Sequence, residues 1–160
     1  MRHVAIHEAG HIVAYIRLRI DCGGASIIQN DDSLGRADGE GCAYTQDDAV
    51  ARVLATCAGY AALVAAGYPE GSAQEGCGSD FEGATEAIDF WQLGSLAEWK
   101  QKAIELMARP ENIKAVDLIA SALVEKGRLD GDHCQVLVEL ADGEASPEDY
   151  QQYLAARQMF

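Results

Sequence analysis

Apolar residues recur at helical spacing along most of this chain, and glycine, proline and capping residues punctuate them. Val4, Ile6, Ile12, Val13, Tyr15, Ile16 and Leu18 surround most of the first helical stretch. Such a helix is expected to be buried on nearly every side. Gly23-Gly24 break the pattern, and two short strands are expected at Ala25–Gln29 and Gly41–Thr45. The segment Asn30–Glu40 between them carries Asp, Gly and Ser without apolar periodicity, which predicts a loop joining two paired strands.

A second long helix is signalled from Gln46 to Ala66. Asp47 and Asp48 suit its first turn, Val50, Val53, Leu54, Cys57, Leu63 and Val64 give its apolar side, and Gly67 ends it. Tyr68 to Gly78 reads as a glycine-rich loop. Ser79 and Glu82 then form an S-x-x-E capping pair, which predicts a helix from near Asp80 to about Leu93. Ser95 with Glu98 repeats the signal for a helix to about Ala108. Pro110 opens another that runs to Lys126 and stops at Gly127, Asp130 caps one through about Leu140, and Ser146-Pro147 open a last one to about Arg157. The expected fold class is mainly α, with a small two- or three-stranded β element.

Composition narrows the class of protein. With 160 residues and 49% hydrophobic content, one domain with a real core is expected over residues 1–160. No apolar run approaches the roughly 18–20 residues that span a bilayer, and no signal peptide is visible, so membrane insertion is not expected and a cytoplasmic location is. Five cysteines without a C-x-x-C pair fit a reducing compartment. The formal charge of −14 excludes nucleic acid as a natural partner, because a phosphate backbone would be repelled.

The candidate chemistry lies inside the first helix. His7, Glu8 and His11 form H-E-x-x-H, which sets two imidazoles one turn apart for a single metal and leaves Glu8 beside them as a general base. The plain alternative is a trio of buried polar groups satisfied by neighbouring backbone. A catalytic zinc commonly has three protein ligands, so one more is needed. The extended pattern that ends in a third histidine fails, because Ala14 and Arg17 stand where its glycine and histidine would be. His3 and His133 are poor candidates. Asp80, Glu82, Glu86 and Asp89 form the natural carboxylate pool.

Several segments resemble the peptidase domain of the FtsH family of AAA-type zinc metalloproteases. They are HEAGH (His7–His11), SIIQ and GCAYT, CAGYAALVAAG (Cys57–Gly67), GCGSDFEGAT (Gly76–Thr85) and ALVEKGRLDGDHCQVLV (Ala122–Val138). Residues 145–160 are an extension with weak resemblance. The resemblance implies a zincin-like helical domain in which His7, His11 and Asp80 bind Zn2+ and Glu8 is the catalytic base. Gly10 would let the active-site helix approach a neighbour closely. The chain departs from the family at Tyr60, Leu63 and Val64, where family members carry Arg and a Glu-Glu pair, and it contains no G-x-x-x-x-G-K-[ST] loop.

The expected function is therefore that of a zinc-dependent, ATP-independent endopeptidase lacking the ATPase module. It would hydrolyse peptide bonds of unfolded or flexible segments through a zinc-bound water activated by Glu8. Gly41, Cys42, Ala43, Tyr44 and Thr45 are expected to hold the substrate as an edge strand. Expected partners are a peptide or unfolded protein, with a separate ATPase or adaptor and a homo-oligomer both compatible with the sequence. The alternative is a non-catalytic zinc-binding interaction or regulatory module built on a peptidase fold.

Overall fold

The first helix, α1 (Arg2–Arg17), is the centre of the molecule, as its apolar surround requires. Ala5, Ile6, Ala9, Ile12, Val13 and Ala14 are all buried, and so are Glu8, Gly10 and His11. The computed structural model describes residues 1–29, 35–39 and 41–157. Two strands follow α1, β1 (Cys22–Ser26) and β2 (Arg36–Gly39), and then the helices α2 (Gln46–Ala65), α3 (Glu70–Gln74), α4 (Gly78–Trp91), α5 (Leu96–Met107) and α6 (Pro110–Lys126). A third strand, β3 (Arg128–Asp130), precedes α7 (Gly131–Asp142) and α8 (Pro147–Arg157). The architecture is mainly α with one small sheet.

Helix α1 packs on α2 and α6, and α2 in turn carries α4 and α5. The α1–α2 seam is built from small residues. A Cβ at Gly10 would lie 2.5 Å from the Ala58 carbonyl oxygen and 2.6 Å from Ala62 Cβ, so the two backbones meet at a distance only glycine allows. Thr45 caps α2 through a reciprocal box with Asp48, and Ser95 does the same for α5 with Glu98. Among the described residues α2 is the one helix long and apolar enough to cross a membrane, with a mean hydropathy of 1.4. Its Asp and Arg residues sit only in the first two turns, so a long apolar stretch remains although Gly67 follows closely. Ten of its residues are buried against the other helices, which accounts for its apolar character.

The strands differ from expectation. All three pair antiparallel in the order β2-β1-β3. The first lies at Cys22–Ser26 rather than Ala25–Gln29, because the glycine pair belongs inside it. Gly24 adopts φ +119°, and a Cβ there would come within 2.2 Å of the Leu129 carbonyl oxygen on β3. The second lies at Arg36–Gly39, within the segment read as a loop, of which residues 30–34 and 40 lie outside the described set. Gly41–Thr45 is no strand: Gly41 has φ +82°, and Asp48 accepts from the Tyr44 and Thr45 amides to seat the α2 cap. Those amides are therefore spent on the cap and not offered to a ladder. The predicted Ser79–Glu82 capping box is also absent, since α4 starts two residues earlier, at Gly78 with Cys77 as its cap residue.

At the far end of α1, Arg17 forks onto Asp142 at 2.6 and 2.7 Å and also donates to the buried Asn112 at 2.8 Å. The Asn112 amide donates to the Leu106 carbonyl, so this buried polar group is satisfied and ties α1 to the α5–α6 turn. Five cysteines are thiols, with Cys57, Cys77 and Cys134 buried.

The seam makes a direct prediction. Gly10→Ala gains about 1 kcal/mol of helix propensity but drives a methyl into backbone and Cβ atoms that cannot rotate away, a cost of about 1–3 kcal/mol. The net effect should be a lower urea midpoint. Gly83→Ala, on an exposed turn of α4 with nothing within 4 Å of its Cβ, should raise it.

Candidate metal centre

Two helices and one glycine build the site. One turn of α1 separates His7 from His11, and their Nε2 atoms lie 3.1 Å apart. Asp80, in the first turn of α4, brings Oδ2 to 3.1 Å from His7 Nε2 and 3.3 Å from His11 Nε2. The floor is α2: a Cβ at Gly59 would fall 2.6 Å from His11 Nε2 and 2.7 Å from His7 Cε1, so both rings lie directly on its backbone.

Three ligand atoms converging this closely need a cation or a proton among them. A tetrahedral zinc with N and O ligands at about 2.0–2.1 Å sets those ligands about 3.3 Å apart, which the observed triangle matches. The tautomers match as well. His11 Nδ1 lies 2.9 Å from the Ala55 carbonyl oxygen, which can only accept, so Nδ1 carries the proton and Nε2 presents its lone pair. The residues present thus fit a zinc ion. Among the described residues no fourth His, Cys, Asp or Glu atom joins the group.

Electrostatics follow from burial and pairing. Burial lowers the His7 pKa, with the Asp80 hydrogen bond opposing it. Burial acts the same way on His11, but the hydrogen bond and charge of Asp80 outweigh it and the pKa rises. For Asp80, burial alone would raise the pKa, yet the hydrogen bonds from His11 and His7 hold the carboxyl far below the usual range. Glu8 is 6% exposed and is pushed up to about 7 by burial, with Asp80 and Asp38 adding to the rise against the opposing His11. A carboxyl titrating near neutrality is suited to exchange protons.

Of the carboxylate pool, only Asp80 reaches the histidines; Glu82, Glu86 and Asp89 are exposed along α4. His3 Nε2 donates to the Ser72 carbonyl, and His133 Nε2 pairs with the Tyr150 hydroxyl at 2.9 Å, so neither joins the site. The predicted substrate residues Gly41, Cys42, Ala43, Tyr44 and Thr45 precede α2 as irregular chain. The strand beside the site is β2, an edge of the sheet. At its start Gly35 lies over Glu8, where a Cβ would be 2.6 Å from Oε1, and at its end Gly39 lies over the Tyr15 ring.

Sequence reasoning missed Gly59, β2 and Cys77. Cys77 Sγ lies 3.7 Å from His7 Nδ1 and 3.1 Å from the Ala73 carbonyl oxygen. Burial pushes its thiol up to about 11, and that of Cys57 up to about 12. Gly59 gave no signal beyond being a glycine in an alanine-rich helix. No protein-family model and no curated protein matches the chain.

Two outcomes follow. Gly59→Ala should displace both imidazoles and weaken zinc binding at least about tenfold in chelator competition, with helical circular dichroism retained. In metal-free protein, the raised pKa of Glu8 means that folding favours its protonated form. That contribution is complete below about 4.5 and lost as pH rises through about 7. Glu8→Gln lacks the loss, so its urea midpoint should overtake that of the wild type between pH 4.5 and 8.

Proposed function

We propose that the chain is a zinc-dependent endopeptidase acting on unfolded or flexible segments of protein. The observation that carries the proposal is the triangle of His7, His11 and Asp80 atoms with Glu8 adjacent and no fourth protein ligand among the described residues. The two segments on which the resemblance to the FtsH peptidase domain rests most heavily, HEAGH and GCGSDFEGAT, supply all four residues.

His7, His11 and Asp80 would hold the ion. When bound, zinc supplies Lewis acidity, polarising the scissile carbonyl and making an attacking water more acidic. Glu8 would take the proton of that water and deliver it to the leaving amine. The edge of β2 away from β1, unpaired among the described residues, would offer backbone groups to an extended substrate, in place of Gly41–Thr45. Backbone pairing of this kind reads chain extension more than side chains, so flexible segments are the natural substrates. These 160 residues contain no nucleotide-phosphate loop of the G-x-x-x-x-G-K-[ST] kind, and a substrate that is already flexible asks for no unfolding step.

One observation favours the second reading, a zinc-binding module without activity. Glu8 is nearly enclosed, with Gly35 packed over its carboxylate. The two readings separate in one experiment. Zinc-loaded wild type and Glu8→Gln are incubated with a reduced, alkylated protein, and products are identified by mass spectrometry. Cleavage by the wild type, with a loss of about 10²-fold or more in a Gln variant that still holds zinc, supports the peptidase. Equal cleavage by both, or zinc without cleavage in the wild type, overturns it.

A further inference from the structure

The far nitrogen of each imidazole has its own partner, and the two partners differ in kind. His11 Nδ1 donates to the Ala55 carbonyl at 2.9 Å. His7 has no carbonyl there; its Nδ1 faces the sulfur of Cys77 at 3.7 Å. The thiol itself is directed elsewhere, since Cys77 Sγ lies 3.1 Å from the Ala73 carbonyl oxygen, which can only accept. The S–H proton is therefore committed to Ala73, and what Cys77 turns toward His7 is a sulfur lone pair. An N–H at Nδ1 is attracted to that lone pair, whereas a bare Nδ1 would face it lone pair to lone pair.

We propose that Cys77 is a positioning residue for His7, accepting from Nδ1–H in the metal-holding tautomer, whose bare Nε2 faces Asp80 and His11. The proposal deepens the zinc reading above and rests on it. Cys77 is also fully buried and is the cap residue of α4, three residues before Asp80. One side chain thus links α3, through Ala73, to a ligand on α1 and to the helix that carries the third ligand. Its role is orientation, because its sulfur lies beside Nδ1, on the side of the ring away from the cluster, and is not among the converging ligand atoms. Sulfur is a weak acceptor, so the orientation energy is smaller than a carboxylate or carbonyl partner would give.

The test uses Cys77→Ala and Cys77→Ser. ¹H–¹⁵N spectra of the zinc-loaded protein report the solvent exchange of the His7 Nδ1 proton, and chelator competition reports zinc affinity. Wild type should show a His7 Nδ1 proton that exchanges slowly. Cys77→Ala should speed that exchange and lose about tenfold in zinc affinity, and Cys77→Ser, which keeps a lone pair, should recover part of both. A side chain that only fills space would change the melting temperature in Ala and leave the Nδ1 proton and the affinity untouched, which overturns the proposal. Wild type that fails to bind zinc removes the zinc reading and the proposal with it.

Discussion

Everything in this molecule that bears on chemistry depends on how closely α1 approaches α2. Gly10 of α1 meets Ala58 and Ala62, and Gly59 of α2 meets the rings of His7 and His11. The two contacts are reciprocal: one glycine removes a side chain so that the helices touch, and the other removes one so that the imidazoles have a floor. Without the first, the histidines would stand away from α2; without the second, they would be pushed out of line with Asp80. Close packing of this kind tolerates no added methylene, so the alanine-rich composition of both helices is a geometric requirement of the site.

Burial then sets the electrostatics. His11 and Glu8 lie in an apolar helix where an unpaired polar group would cost several kcal/mol. The structure resolves this for the histidines by converging them on Asp80 and giving each Nδ1 a partner. At Glu8 burial outweighs the opposing His11, and its pKa moves up. Burial thus favours the protonated form of both carboxyls, and the hydrogen bonds from His11 and His7 overcome it at Asp80 alone. Two carboxyls a short distance apart thus have divergent proton affinities, set by the partners each one has.

Much of this was legible in the chain. The apolar surround of HEAGH marked a buried helix, and buried helices do not carry two histidines and a glutamate without partners. The Ser95–Glu98 pair, Pro110, Gly127 and Asp130 marked helix ends correctly because capping is a local interaction. What failed was non-local. Strand β3 has three residues and exists only because Gly24 lets β1 come against it. Strand β2 contains Arg, Ala, Asp and Gly, with no apolar alternation to announce it. Gly41–Thr45 looked like a strand because Cys, Ala and Tyr alternate with nothing charged, yet the Thr45–Asp48 cap claims that backbone. Helix α3 was read as loop because glycine and serine lie inside it. The residues alone left Asp80 in a pool of four carboxylates, from which the family resemblance singled it out, and α4 brings it within 3.3 Å of both histidines; Cys77 carried no signal, since its partners are 70 and four residues away.

The fold is thus a mainly helical frame in which His7, His11 and Asp80 converge, with α2 beneath the two rings, α4 carrying the aspartate and the chain at β2 packed over the neighbouring Glu8 and Tyr15. Its central claim is the identity of that ligand set. Zinc K-edge X-ray absorption of the loaded protein tests it most directly. A first shell of only nitrogen and oxygen at about 2.0–2.1 Å, with imidazole scattering from two histidines, is the predicted result. Sulfur at about 2.3 Å, or scattering from fewer than two imidazoles, would contradict it.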